Sequence, residues 1–337
     1  MFDSKTFFNL VNPSKNILVA FSGGGDSTAL LNYCYELKQK NHFKGSLSAI
    51  HVNHAISPHA SSWEGHCKNF CSQRNIPLIC ESIKVDGKKS GLESAARQGR
   101  YEVFKHNIYS GDQLLLAHHA DDVAETLMFR LFRGTGIDGL GGPIKSRKLG
   151  DGVMLRPWLD YSKSILISYL ENRKLSFIED ESNASNDQDR NFIRNEILPL
   201  ISQRWPQAKS QIQQTSSIIS QHLDVHEKLI YDQFSDDLFQ SSLSLESLKN
   251  IDEGMRNSVI RYWIKNNNIA APNKKVLHEI TKVFFQTQPS SKTLVEWSRA
   301  DKAQSGGVLT FADGDLIINN RQPEKKYELS DFNLRNK

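Results

Sequence analysis

The 337-residue chain has a formal net charge of +4, divided as +2 on each side of residue 203, so its charge balance neither demands nor excludes nucleic acid. Its length exceeds that of a typical single domain, which predicts two domains with real cores, and no run of about 18 apolar residues exists to form a helical membrane span. The start, MFDSKTFFNLVNPSKN, is interrupted by Asp3, Asn9, Asn12 and Pro13 and supplies no signal-peptide stretch, while all four cysteines fall in the first quarter, which does not resemble a disulfide framework and fits a reducing cytoplasm.

The first element is a short apolar strand, Asn16 to Phe21, ending at a glycine cluster, with a helix from Thr28 onward. The alternation repeats: strand at Leu47 to Val52 and helix at Ser62 to Arg74, strand at Leu78 to Ile83 and helix at Leu92 to Ile108, strand at Gln113 to Ala117 and helix at Val123 to Phe132. Strands alternating with helices predict an α/β, Rossmann-like parallel sheet with helices on both faces, whose ligands sit beyond the carboxyl ends of the strands. Arg133 to Gly152 is Gly-rich and partly basic and reads as one long loop. A helix follows at Ser162 to Arg173, then a polar stretch from Glu179 to Ile201. Near Trp205-Pro206 the alternation stops. Ile212, Ile219, Leu223 and Ile230 mark an amphipathic connecting helix near 207–232, with further helices at Met255 to Lys265 and Lys274 to Phe285. Asp313-Gly314 between two apolar runs predicts a β-hairpin. The expected domains are therefore residues 1–203, α/β, and 204–337, mainly helical with a small hairpin.

The stretch FSGGGDS, Phe21 to Ser27, is a strand-to-helix glycine turn, yet neither common nucleotide loop fits it. A Walker loop needs lysine where Asp26 stands, and the dinucleotide fingerprint needs glycine or alanine where Thr28 stands. What remains is a cradle for phosphate or pyrophosphate, built from backbone N–H groups and the hydroxyls of Ser22, Ser27 and Thr28. A carboxylate there repels phosphate by roughly 4 kcal/mol at 4 Å and intermediate dielectric. A divalent cation reverses that sign, so Asp26 points to Mg²⁺ between protein and triphosphate; an ordinary helix cap is the plainer alternative.

AHHADDVAET, Ala117 to Thr126, opens a second helix at the same sheet edge and brings Asp121 and Asp122 toward Asp26. His118 and His119 also allow a two-metal phosphoesterase, which leaves the glycine turn unexplained. In GLESAARQGRYEVF, Glu93, Arg97 and Arg100 share a helical face, where Arg97 is either a surface ion-pair partner or a stabiliser of phosphoryl charge. Cys67 and Cys71 stand one helix turn apart but have no second pair to complete a four-ligand metal site.

Taken in order, FSGGGDS, HVNH (His51 to His54), LESAAR, HHADDVAET, RGTGIDGLGG, RPW (Arg156 to Trp158) and DESN…RNFIRNEILP (Asp180 to Pro199) resemble the tRNA(Ile)-lysidine synthetases of the N-type ATP pyrophosphatase, or PP-loop, superfamily. The likeness covers residues 16 to 200 or so. It implies adenylation of the wobble cytidine of a CAU-anticodon tRNA(Ile) by ATP, then displacement of AMP by the ε-amine of free L-lysine, which changes decoding from AUG to AUA. It implies ATP binding by Ser22, Gly23, Gly24, Gly25, Asp26 and Ser27, Mg²⁺ and catalysis at Asp26 and Asp122, and Arg97 beside the reacting phosphate. Asp122, rather than Asp121, matches the essential acid. Glu93, Arg190, Asn191 and Arg194 are the expected lysine and cytidine side of the site, and Asp26, Glu93, Asp122 and Asp138 the carboxylates among which a base for lysine is sought. The resemblance leaves a homodimer open and gives the second domain a tRNA-gripping role, with Lys145, Arg147 and Lys148 adding salt-sensitive affinity. Longer members of the family carry a further small C-terminal domain. The rivals are a 2-thiocytidine-type thiolase, against which the lack of a Cys-x-x-Cys pair argues, and a tRNA-binding module without catalysis, against which Asp26 and Asp122 argue.

Overall fold

The computed structural model describes residues 2–54, 57–85, 92–234, 237–298, 305–321 and 327–329. In chain order the elements are α1 (Ser4–Leu10), β1 (Ile17–Ala20), α2 (Gly25–Gln39), β2 (Leu47–Asn53), α3 (Ala60–Ser72), β3 (Leu78–Val85), α4 (Leu92–His106), β4 (Gln113–Leu115) and α5 (Ala120–Phe132). They continue with α6 (Ile137–Leu140), β5 (Ser146–Leu149), β6 (Gly152–Leu155), α7 (Lys163–Asn172), α8 (Asp189–Phe192), a π-helical turn (Ile193–Ile197), α9 (Leu198–Arg204) and α10 (Ala208–Phe234). The remainder is β7 (Ser242–Ser244), α11 (Leu245–Lys249), α12 (Glu253–Asn266), α13 (Lys274–Ile280) with a π-helical end, β8 (Leu294–Trp297), β9 (Gly306–Ala312), β10 (Asp315–Arg321) and β11 (Tyr327–Leu329). Two compact bodies divide the chain: Met1–Ser220 with Tyr327–Lys337, and Gln221–Lys326.

The first body is built on a seven-stranded sheet in the order β11-β3-β2-β1-β4-β6-β5. The five inner strands are parallel, and an antiparallel strand closes each edge, β11 on β3 and β5 on β6. Strand side chains alternate between two cores, as the pleat requires. Ile17, Val19, Leu115 and Leu155 pack with α2 and α7 residues such as Leu30, Leu31 and Leu166, whereas Leu18, Leu114, Leu116 and Met154 pack with Tyr101, Val103 and Phe104 of α4. Being covered on both faces explains why these strands read as continuous apolar runs. The chain leaves β1 toward β2 and β3, then returns to β4 on the other side of β1. A crevice must open between the carboxyl ends of β1 and β4, and the two turns flanking it are Phe21 to Gly24 and Leu116 to His119.

One expectation is corrected in this body. Arg133 to Gly152, read as a single long loop, contains α6 and the edge strand β5, which pairs with β6 around Gly150-Asp151. Only Leu149 of β5 is buried, so a two-sided apolar signal was never there to read.

In the second body the Asp313-Gly314 turn has left-handed φ values of 51° and 90° at its two residues, as a type I′ hairpin demands. The hairpin is the centre of a larger four-stranded antiparallel sheet, β7-β10-β9-β8. Trp263, Phe284, Ile260, Leu309 and Leu316 form its core, and the two buried indoles are satisfied by carbonyls, Trp263 Nε1 on Gln240 at 2.7 Å and Trp297 Nε1 on Ala270 at 2.6 Å. Among the described residues no helix is long and apolar enough to cross a membrane.

Candidate active site

The turn after β1 is held by its own small side chains. Gly23 adopts φ +85°, a conformation that any side chain would strain, and its carbonyl accepts the Thr28 hydroxyl at 3.1 Å and the Ile178 amide at 2.9 Å. Ser27 Oγ donates to the Gly24 carbonyl at 3.0 Å and stands 3.1 Å from Ser22 Oγ. Helix α2 starts at Gly24 without a side-chain cap. Since the first amides of any helix have no intrahelical acceptor, this start presents donors suited to an oxyanion. Asp26 lies in that first turn with its side chain 38% exposed.

The turn after β4 is constructed differently. His119 caps α5 in a reciprocal box: its Nδ1 accepts the Asp122 amide at 3.4 Å, and its own amide donates to Asp122 Oδ2 at 3.0 Å. With Nδ1 occupied as an acceptor, the ring proton is assigned to Nε2, which lies 3.4 Å from Asp26 Oδ2 and 3.5 Å from Asp122 Oδ2. One imidazole thus links the two turns. Burial alone would lower the His119 pKa, but the carboxylates of Asp26, Asp122 and Asp121 outweigh it and raise it.

One helical turn along α5, Glu125 is almost wholly buried and held by two arginines, Arg190 of α8 and Arg194 of the π-helical turn. Arg194 forks onto it with Nε and Nη2 at 2.6 and 2.8 Å; Arg190 reaches it with Nε at 3.1 Å and gives Nη2 to Asp122 Oδ1 at 3.0 Å. Burial would raise the Asp122 carboxyl, yet His119, His118 and Arg190 hold it below the usual carboxylate range. Arg190 and Arg194 stand at either side of the start of the π-helical turn, whose flanks Ile193 and Leu198, five residues apart, are both packed in a small core with Ala124 of α5. π turns recur at functional sites, and this one sets the arginines over α5.

His118, Asp122, Asn183, Gln188, Arg190, Asn191 and Arg194 line a polar cleft of about 200 Å³. The structure therefore brings together Asp26, Asp122, Arg190, Asn191 and Arg194. Arg97 is placed apart, its guanidinium 5.1 Å from the Tyr101 ring centre and its Nη2 3.4 Å from the Tyr101 hydroxyl. Of Glu93 only the backbone, in α4, lies within the described residues. Asp121 turns away, accepting the Lys163 amide at 2.9 Å and the Lys209 ammonium at 2.8 Å. Asp138 is exposed on α6. The expected basic patch is thinner than its sequence, because Lys145 pairs with Asp160 at 2.6 Å and Arg147 lies over Tyr101.

Sequence reasoning missed Glu125, although its three-residue spacing from Asp122 puts both on one helix face, and it gave His118 and His119 no defined work. His118 accepts Arg156 Nε at 3.2 Å; burial pushes its pKa well down, and Arg156, Arg190 and Arg97 add to this against the pull of Asp122. For a metal, Asp26 and Asp122 offer two carboxylates, which is the number Mg²⁺ commonly takes from protein when phosphates and water complete its shell. Among the described residues no group of three or more His, Cys, Asp or Glu is arranged to hold a metal by itself. Cys34, Cys67 and Cys71 are buried free thiols, and burial raises those of Cys67 and Cys71 to about 12, which leaves them poor nucleophiles.

Comparison with known proteins is consistent across the chain. A PP-loop domain family model matches residues 3–201, and a TilS substrate binding domain model matches residues 243–304. A tRNA(Ile)-lysidine synthase of Buchnera aphidicola subsp. Acyrthosiphon pisum is 34% identical over 94% of this chain and 81% of its own. One from Legionella pneumophila is 33% identical over 90% and 70%, and one from Haemophilus influenzae strain PittEE is 36% identical over 79% and 63%. The chain thus spans less than two thirds of the Haemophilus protein. Among solved structures, the U34-tRNA thiolase NcsA from Methanococcus maripaludis, with its [4Fe-4S] cluster, aligns at TM-score 0.53 and 18% identity over 65% of this chain and 78% of that one, a likeness of fold.

Proposed function

The chain belongs to the tRNA(Ile)-lysidine synthase family of PP-loop proteins, and from that premise we propose that it ligates free L-lysine to C2 of the wobble cytidine in a CAU-anticodon tRNA(Ile). The observation that carries this reading is the linkage of a phosphate-suited glycine turn, through His119, to Asp122 and the arginine-held Glu125 at one sheet edge.

In the first step the cytidine carbonyl oxygen attacks the α-phosphorus of ATP, the bond to the β-phosphate oxygen breaks, and pyrophosphate leaves. The uncapped start of α2, with the hydroxyls of Ser22 and Ser27, holds the terminal phosphates. Asp26 and Asp122 are the residues we assign to Mg²⁺, which would neutralise phosphate charge when bound. In the second step the lysine ε-amine forms a bond to C2 and AMP departs with the former carbonyl oxygen. That amine must first lose a proton, which at pH 7.4 costs about 4 kcal/mol from a pKa near 10.4. The acidic crevice is where such a proton can go, while Arg190, Asn191 and Arg194 orient the cytidine and lysine in the cleft. We assign grip on the tRNA body to the second compact body. Thiolation, the chemistry named for the Methanococcus structural neighbour, draws no support from the buried thiols of Cys34, Cys67 and Cys71.

The test is incubation with ATP, Mg²⁺, L-lysine and tRNA bearing CAU, followed by nucleoside mass spectrometry. Lysine incorporated at the wobble cytidine is expected; bound tRNA with no incorporation overturns the reading.

A further inference from the structure

A second cluster of charge lies beside the cleft and none of the roles above uses it as a unit. Arg97 and Tyr101 on α4, Arg147 on β5 and Arg156 just after β6 converge on one phenol. Arg97 Nη2 and Arg156 Nη2 lie 3.4 and 3.5 Å from the Tyr101 hydroxyl, and the Arg97 and Arg147 guanidiniums lie 5.1 and 4.7 Å from its ring centre. Arg156 is only 5% exposed and satisfies itself on neutral acceptors, His118 Nδ1 at 3.2 Å and the Ile144 carbonyl at 2.7 Å. Arg147 Nε is buried with no hydrogen-bond partner. Among the described residues, no carboxylate pairs with any of the three arginines.

Guanidiniums gathered in a partly buried site repel one another, and that cost is offset when an oxyanion enters. The positive field is visible on Tyr101 itself: burial would raise its phenol, yet Arg97, Arg156 and Arg147 together hold it below the ordinary value. A guanidinium with an unfilled, inward-turned donor is suited to a carboxylate or phosphate, which it binds through a fork.

We propose that Arg97, Arg147 and Arg156 around Tyr101 form an anion pocket that takes the α-carboxylate of the amino-acid co-substrate, an assignment that rests on the reading of function above. Position favours this source of oxyanion over phosphate. The glycine turn follows β1 and the cluster follows β6, with β4 between them, so two strand spacings, about 10 Å, separate the two. The burial of Arg156 disfavours a phosphate on the RNA surface. His118 touches Arg156 and also lines the cleft with Asp122 and Arg194, so one side chain borders both sites. An amino acid with a basic side chain carries opposite charges at its two ends, and this site offers arginines at one end and carboxylates at the other.

The experiment is steady-state lysine incorporation by the full chain carrying Arg147→Gln or Arg147→Lys, with thermal melts to confirm folding and with cadaverine, lysine lacking its carboxylate, as the comparison amine. Arg147→Gln should raise KM for lysine about 10- to 100-fold, the range for losing a charged hydrogen-bond partner. KM for ATP should stay within about twofold of wild type, a change too small to represent a lost charged contact. Use of cadaverine should not change, and Arg147→Lys should fall between. A raised KM for ATP with that for lysine unchanged would assign the pocket to phosphate, and no change in either would make Arg147 a packing residue; both outcomes overturn the proposal. If Arg147→Gln does not fold, a wild-type KM for lysine in Arg147→Lys together with equal wild-type use of lysine and cadaverine overturns it as well. A wild-type chain that incorporates no lysine at all overturns the reading of function, and this assignment with it, and is recognised by that failure.

Discussion

Two strand-to-helix turns meet at one edge of the sheet, and they solve the same local problem in opposite ways. After β1 the chain uses glycine and hydroxyls, starts α2 without a side-chain cap and leaves Asp26 partly exposed. After β4 it caps α5 with His119, buries Asp122 and Glu125 and places two arginines upon them. The first turn is shaped to be completed by something from outside, whereas in the second Glu125 is neutralised within the protein by two arginines and only Asp122 is shared with the crevice. Mutation of Glu125 should therefore register mainly in stability, and mutation of Asp26 mainly in chemistry.

The largest expected effect on stability tests the second turn. Glu125→Gln leaves Arg190 and Arg194 beside a neutral amide, and removal of one partner from a buried ion pair typically costs about 3–5 kcal/mol. Urea unfolding measures it, and a loss under about 1 kcal/mol, the level of an exposed pair, would erase the contrast between the turns. Gly23→Ala comes next, because its φ of +85° strains any side chain, with about 1–3 kcal/mol expected and weaker ATP binding alongside. Wild-type stability there would mean that the turn relaxes freely. Asp26→Asn should change stability by no more than about 0.5 kcal/mol, as for an ordinary exposed position, while nearly abolishing AMP formation. Full AMP formation by that variant would remove Asp26 from the reaction.

The smallest effect lies at the far end of α2, where Glu36 meets Arg173, with one oxygen 2.9 Å from Nη2. Burial would raise the Glu36 carboxyl, but the Arg173 hydrogen bonds and charge lower it. A carboxyl depressed in the folded state contributes stability that is full above its unfolded pKa and lost as pH falls through the folded one. Glu36→Gln should then cost up to about 1 kcal/mol at pH 7, and the gap should shrink as pH falls below the ordinary glutamate range. A gap that persists in acid would trace to packing instead.

Periodicity made most of the sheet legible, because β1 and β4 are buried on both faces and read as apolar runs bounded by turn residues. It failed at β5, where only Leu149 is a buried apolar residue, and at β7, only three residues long, since neither carries enough pattern to separate strand from loop. The glycine turn announced itself by composition. The arginine clamp did not: Glu125 and Arg194 lie 69 residues apart, and no local rule pairs them. Even so, the one-turn spacing of Asp122 and Glu125, and of Arg190 and Arg194, was present to be matched.

The π-helical turn that carries Arg194 and follows Arg190 has a consequence for which changes the site can survive. An α-helix advances about 100° per residue, so a helix segment behaves as a screw whose phase is fixed by counting. The wide turn at Ile193–Ile197 holds one residue more than an α-turn and sets the phase between the helical segments on its two sides. Replacing side chains there keeps the count. Deleting a single residue rotates Arg190 by about a quarter turn relative to Leu198, so this segment should tolerate variation in composition far better than variation in length.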